Sequence, residues 1–240
     1  MKLYRALQSQ GFGSRRDCIA RARAGEVAVN GTVCDDPEAE VDPAALRLTL
    51  DGVAWDYRER AYLMLHKPAG HECSQRPSHH PSVFSLLPAP LRARGVQCVG
   101  RLDQDTTGLL LFSDDGQFIH RMTSPKKGVA KVYRAHCAAP VDDAMLDALR
   151  EGVQLNDAPA PVTALACERI DASTLRLVLA EGKYHQVKRM IAAAGNRVER
   201  LHREAIGEQT LPPDLAPGEW RWLDAADLQR LEQPWQFATF

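Results

Sequence analysis

The chain has 240 residues, of which 45% are hydrophobic and 25% charged, and its formal net charge is −1. This is an ordinary globular composition, which excludes fibrous and intrinsically disordered classes. No apolar run approaches the roughly 18 residues that a membrane helix needs. Met1-Lys2-Leu3-Tyr4-Arg5 meets charge without an apolar signal core, so the expectation is a soluble cytoplasmic protein with no membrane association.

In chain order, Leu3, Ala6, Leu7 and Gln10 fit a short helix closed by Gly11 and Gly13. Ser14, with Asp17 three residues on, is a good N-cap for a second helix running to Gly25. Val27–Val33 reads as strand, Asn-Gly turn and strand, a strong short-range hairpin signal. The polar stretch Trp55–Arg60 reads as a linker. Beyond it, strand-like runs lie at Tyr62–Leu65, Leu109–Phe112, Lys131–Cys137 and Leu175–Leu179. Helical runs lie at Gln117–Met122, Asp142–Arg150 and His185–Ala194, with Gly195 at the C′ position of the last. A final helix spans Ala225–Leu231, and Gln233–Phe240 carries no readable signal. Strands and helices do not alternate strictly, so the class is α+β rather than a doubly wound parallel sheet.

Charge is segregated along this order. Residues 1–25 carry six basic groups against Asp17, whereas residues 26–59 carry nine acids against Arg47 and Arg58. Residues 120–136 hold Arg121, Lys126, Lys127, Lys131 and Arg134 with no acid. Local patches, not net charge, dock a polyanion, although a charge run is also what an ordinary solvated face looks like. The six cysteines are dispersed, the closest two 16 positions apart, which fits incidental thiols in a reducing compartment. His66, His71, His79 and His80 surround Cys73, but their spacing matches no standard ligand set, and no metal is expected.

Three segments carry candidate chemistry. Gly100–Phe112 packs Arg101, Asp103, Asp105 and two threonines just before a strongly apolar strand. It reads either as a site held on a rigid element or as a tight turn whose side chains satisfy backbone donors. Lys131-Val132-Tyr133 puts a lysine and a tyrosine on one strand face; the tyrosine either fills the core or stacks on a base. Glu181–Met190 is a glycine-containing turn entering a helix. Lys188 or Arg189 near that helix start opposes its dipole, which calls for an anionic partner.

Taken together, these segments resemble the RsuA family of ribosomal RNA pseudouridine synthases. The resemblance rests on Gly-Arg-Leu-Asp-x-Asp-Thr-Thr-Gly-Leu, on Lys-x-Tyr and on Glu-Gly-Lys-Tyr-His-Gln-Val-Lys-Arg-Met. Leu65–Gly70, Thr123–Pro125, Gly195-Asn196, Leu201-His202-Arg203 and Pro217–Arg221 extend it over about residues 60–225. Residues 1–50 resemble the small RNA-binding module shared with ribosomal protein S-four. The implied organisation is an RNA-binding module over 1–58, a catalytic domain over 59–234 and a tail over 235–240. The implied fold is a mixed, mainly antiparallel sheet with a central RNA-binding cleft.

The resemblance implies Asp103 as the essential aspartate, Tyr133 as the active-site tyrosine and Lys188 as the basic partner of Asp103, with Arg189 open as the alternative. Arg15, Arg16, Arg21, Arg23, Arg101, Lys126, Lys127 and Arg189 are expected to hold RNA. Arg101 has two readings: it fills the place of an extruded base or clamps a phosphate, or it pairs with Asp105 or another nearby acid. Asp105 is assigned no catalytic role.

Isomerising uridine breaks the nitrogen–ribose bond and rejoins the base through carbon, with no redox change or group donor. No cofactor is therefore expected, in keeping with the absence of phosphate-cradling glycine motifs. An ionised carboxylate serves as nucleophile or as base, and a neighbouring cation keeps it ionised. The expected partner is ribosomal RNA, 16S in preference to 23S, or a small-subunit assembly particle, met by a monomer. The competing classes are a non-catalytic ribosome-assembly factor and a glycoside hydrolase using Asp103 and Asp105. The hydrolase reading is disfavoured because two acids so close in one loop are poorly placed to flank a sugar.

Overall fold

The computed structural model describes residues 1–236. Residues 237–240, the end of the tail for which no signal was read, lie outside the described residues. The chain separates into two compact units: Met1–Ala61 with Leu87–Gln97 and Ser113–Asp115, and Tyr62–Leu86 with Cys98–Phe112 and the remainder from Gly116.

The first unit begins with α1 (Leu3–Ser9) and α2 (Arg15–Arg23). Ser14 and Asp17 form a capping box in which each side chain binds the other's backbone N–H, satisfying donors that a helix start leaves open. β1 (Val27–Val29) and β2 (Thr32–Val33) make the expected hairpin. Asn30 and Gly31 at its turn take φ of 50° and 86°, the left-handed pair that matches strand twist. β3 (Arg47–Leu50) and β4 (Val53–Asp56) complete a sheet of order β2-β1-β3-β4. The expected linker therefore starts too early. Trp55 lies in β4, buried, with its indole N–H donated to Gln10 Oε1 at 3.2 Å. Gln10, wholly buried, also accepts from Arg58 N at 3.1 Å and from Arg94 Nη1 at 3.0 Å. Arg94 follows α3 (Ala89–Ala93) and forms a buried ion pair with Asp114, which ties the two short excursions into this unit.

The second unit is built on a mixed sheet. Its strands are β5 (Tyr62–Lys67), β6 (Gln97–Val99), β7 (Thr107–Ser113), β8 (Lys131–Cys137), β9 (Ala166–Asp171), β10 (Thr174–Leu179), β11 (Val198–Ile206), β12 (Gln209–Thr210) and β13 (Trp220–Trp222). The order is β13-β5-β7-β11-β8-β10-β9, with β12 on β11 and β6 on β7. β8 pairs antiparallel with β10 and β11, while β11 runs parallel to β7. The helices are α4 (Gly116–Thr123), α5 (Asp143–Glu151), α6 (Gln186–Ala193) and α7 (Ala225–Glu232). Met64, Leu109, Leu111, Phe118, Met122, Ile206 and Leu231 belong to one of its buried apolar clusters. The α+β class is borne out. β11 and β9 went unread in the sequence, because Val-Glu-Arg-Leu-His-Arg-Glu-Ala-Ile has no apolar alternation to signal a strand. Among the described residues, no helix is long and apolar enough to cross a membrane.

Gly108 fixes how closely β7 and β11 approach. Its φ is 108°, and a Cβ there would fall 2.3 Å from Arg203 O and 2.7 Å from Arg203 N. Only glycine leaves room for that crossing.

Candidate active site

The loop between β6 and β7 is a tight turn, with Thr106 N donating to Asp103 O at 3.1 Å. The turn reading holds, and the same turn delivers Asp103, half-buried, to a cavity. Lys67, with no exposed surface, anchors it from the end of β5. Its ammonium donates to Pro68 O at 3.0 Å, Gln104 O at 3.0 Å and Thr106 O at 2.9 Å. Burial pushes the Lys67 pKa down, yet three carbonyls satisfy its three N–H groups. Lys67 was missed as a site-building residue. The available signal was a lysine in phase with Leu63 and Leu65 on one strand face.

Asp103 meets two groups from the Glu181–Met190 segment. Lys188 Nζ lies 3.1 Å from Asp103 Oδ2, and His185 Nε2 lies 3.2 Å from Asp103 Oδ1. His185 takes φ of 48° at the N-cap of α6, and Tyr184 stacks on its ring at 3.8 Å. Buried Gln186 holds this turn by accepting from Lys183 N at 2.8 Å and donating to Glu181 Oε1 at 3.0 Å. The contact of His185 with Asp103 was not anticipated.

The structure resolves the choice between the two basic residues. Arg189 pairs with Asp157 rather than with Asp103, whereas Lys188 serves Asp103 and also Asp105, at 2.7 Å and 2.9 Å to the two Asp105 oxygens. Both cations near the helix start thus have the anionic partners that the dipole argument called for. Burial opposes the charge on Lys188, but hydrogen bonds to Asp105 and Asp103 outweigh it and raise its pKa. Asp105 is likewise opposed by burial and held below its ordinary range by Lys188. The alternative pairing of Arg101 with Asp105 is not formed: Arg101 is exposed and has no carboxylate partner among the described residues. Two acids converging on one ammonium also give a glycosidase no acid–base pair set across a sugar.

Tyr133, 7% exposed, lies on β8 opposite Arg203 of β11. With Asp103, Arg101 and His185 it lines a cavity of about 60 Å³ whose apolar wall includes Leu102, Leu179 and Leu201. A second cavity of about 100 Å³ adjoins it, sharing Arg101, Tyr133 and Gly182 and adding Lys131 and Arg203. Cys73 Sγ accepts from Leu102 N at 3.5 Å, and the Cys98 thiol lies beside it as a donor. That thiol contact is the largest cause pulling Cys73 down and pushing Cys98 up. No cysteine is bridged.

The surface cations sort by partner. Arg16 and Arg23 are exposed, and Arg15 lies 4.9 Å from the Tyr4 ring. Arg21 is engaged by Asp51 at 3.1 Å and by Glu26 at 3.8 Å. In the 120–136 patch, Arg121 pairs with Glu232 and Arg134 with Glu204, while Lys126 and Lys127 are both exposed. The His79–His80 loop is organised by Glu72, which accepts the backbone N–H groups of Ser78, His79 and His80. No cluster of three metal-ligating side chains occurs among the described residues.

Residues 61–193 match the family model described as RNA pseudouridylate synthase. A solved structure described as a pseudouridylate synthase superposes with a TM-score of 0.68 at 34% identity, covering 96% of this chain and 99% of that one. The chain belongs to the RNA pseudouridylate synthase family, enzymes that isomerise uridine to pseudouridine in RNA. Among its relatives, an uncharacterized RNA pseudouridine synthase of Bacillus subtilis strain 168 is 38% identical, covering 98% of this chain and 99% of the relative. Ribosomal small subunit pseudouridine synthase A of Escherichia coli K12 is 41% identical over 88% of this chain and 93% of its own length.

Proposed function

We propose that the protein isomerises a specific uridine of small-subunit 16S ribosomal RNA, with Asp103 acting at the sugar, Lys188 as its counter-charge and Tyr133 against the base. The observation that carries the assignment is the 3.1 Å contact between Lys188 Nζ and Asp103 Oδ2 beside a cavity that Tyr133 also lines. The RNA substrate follows from the family; the 16S target is supported by the likeness to the small-subunit enzyme of E. coli.

An ionised carboxylate is needed whether Asp103 attacks the ribose or removes a ribose proton, and the Lys188 ammonium favours that charged form. The target nucleotide leaves its stack to reach so narrow a cavity, at a cost of a few kcal/mol. Tyr133 then offers a face to the freed uracil while the base turns. Arg101 stands exposed at the mouth, free to clamp a phosphate or occupy the vacated stack. The first unit, as an S-four-like module over about residues 1–58, docks RNA through Arg15, Arg16, Arg21 and Arg23, and Lys126, Lys127 and Arg189 extend the contact. Such phosphate contacts position rather than specify. The enzyme works as a cytoplasmic monomer on rRNA or an assembling small subunit.

The test is release of tritium from uridine C5 in 16S transcripts, 23S transcripts and small-subunit particles. Asp103-dependent release from 16S RNA or its particles is expected. Asp103→Asn should lower the rate by roughly 10²-fold or more with RNA affinity retained. Release confined to 23S RNA refutes the target, and near-wild-type turnover by the variant refutes the role of Asp103.

A further inference from the structure

The cavity beside Tyr133 holds two cations that the assignment above does not use. Arg203 is 2% exposed and lies opposite Tyr133 across the β8–β11 pairing. Its Nε donates to Leu109 O at 2.8 Å, but its buried Nη2 has no hydrogen-bond acceptor. Lys131 shares the Tyr133 face of β8 two residues away, and its Nζ donates to Val129 O at 2.8 Å. Among the described residues neither cation forms an ion pair with a carboxylate. Burial, with the Arg203 charge behind it, pushes the Lys131 ammonium down to about 8. Both side chains line the cavity of about 100 Å³ that shares Tyr133, Arg101 and Gly182 with the Asp103 cavity.

Burying positive charge without a counter-ion is unfavourable, and an orphaned buried donor calls for an explanation. Apolar residues at 131 and 203 would serve packing at least as well. What two such cations do suit is a negative charge that is absent from the resting enzyme and develops during reaction, which is where preorganised dipoles and charges lower a barrier most.

We propose that Arg203 and Lys131 form an anion-stabilising wall of the base site, facing the uracil carbonyl oxygen that gains charge when the base separates from the ribose. The inference rests on the placement of uridine between Asp103 and Tyr133 proposed above. The N1–C1′ bond breaks with its electron pair moving into the ring and onto the ring oxygens, while Asp103 answers the electron deficiency at the sugar. C5 then bonds to C1′ with that pair, the C5 proton leaves to solvent, and N1 takes up a proton. The product is an isomer of the substrate, and no oxidant or co-reactant enters. A backbone phosphate is the competing occupant. It is fully charged before reaction begins, so cations held for it would strengthen binding without favouring the chemical step.

The experiment measures single-turnover rate and RNA affinity separately on a 16S transcript, for wild type, Arg203→Gln, Arg203→Lys and Lys131→Met. The expected result is a fall of roughly 10²-fold in rate at saturating enzyme for Arg203→Gln, with RNA affinity within about twofold of wild type. Arg203→Lys should recover part of the rate, and Lys131→Met should lose roughly tenfold. RNA carrying 5-fluorouridine, whose ring bears negative charge more readily, should show a smaller loss at the cleavage step. Should Arg203→Gln fail to fold, as judged by circular dichroism, Lys131→Met decides alone. Unchanged rates overturn the proposal. So does weakened affinity with an unchanged saturated rate, which would place a phosphate there instead. An inert wild type refutes the 16S reading and this inference with it, whereas an active wild type with unaffected variants refutes the inference alone.

Discussion

Replacing Gly108 with alanine tests whether the crossing of β7 and β11 sets the geometry of the site. The new Cβ would lie 2.3 Å from Arg203 O, 2.7 Å from Arg203 N and 2.9 Å from Arg203 C. All three neighbours are backbone, so no flexible side chain can swing away, and restoring contact distance requires the strands to part by about 1 Å. The φ of 108° adds roughly 1–2 kcal/mol for a residue with a Cβ. Overpacking adds about 1–3 kcal/mol, for a loss of roughly 2–5 kcal/mol. In a chain of this size that lowers the melting temperature by roughly 10 °C. The displaced backbone carries Arg203 and adjoins the Asp103 loop, where a shift of about 1 Å is worth roughly 10²-fold in rate. Thermal unfolding by circular dichroism and single-turnover tritium release measure the two effects. Gly116→Ala is the control, because nothing lies within 4 Å of its Cβ position; it should stay within about 0.5 kcal/mol of wild type. Gly108→Ala melting within about 2 °C of wild type, with undiminished turnover, refutes the argument.

Arg15→Ala with Arg16→Ala should weaken RNA binding and reduce the slope of log K against log salt by roughly 1–2; filter binding between low and high salt checks this, and an unchanged slope removes the α2 arginines from the RNA surface. Arg21→Ala alone should do less, because Asp51 and Glu26 already hold that side chain. The Glu72 loop predicts a pH dependence. Backbone N–H groups of Ser78, His79 and His80 pull the Glu72 carboxyl down to about 2 from its ordinary 4.5. A depressed carboxylate pKa contributes stability that is complete above the unfolded value and is lost as pH falls through the folded one. Amide shifts of residues 78–80 should therefore titrate near pH 2 in wild type and stay flat in Glu72→Gln. A wild-type midpoint near 4.5 contradicts the arrangement.

Much of the local architecture was legible in the residue order. The Ser14–Asp17 capping box, the Asn30-Gly31 hairpin, the limits of β8 and the end of α6 at Gly195 all depend on groups within a few positions of one another. The candidate site was legible at the level of segments: Asp103 meets Lys188 at 3.1 Å and shares a cavity lining with Tyr133. β11 was not legible, since its charged Arg203 turns inward where a pattern reader expects an apolar residue. Trp55 was misread as linker because its polar neighbours hid a buried indole whose partner, Gln10, is 45 positions away.

By itself the sequence determined many of the helices and strands, their local caps and turns, the run of arginines in α2 and the demand of Lys188 or Arg189 for an anionic partner. Tertiary structure alone decided which partner each took. Lys188 reaches Asp105 across 83 positions, and Arg189 reaches Asp157 across 32. The same holds for Lys67 under the Asp103 loop and for Arg203 opposite Tyr133. The physical reason is range: propensity, capping and turn strain act between near neighbours in the chain. An ion pair or buried hydrogen bond forms with whatever the packed strands bring within about 3 Å, and only the assembled sheet sets that.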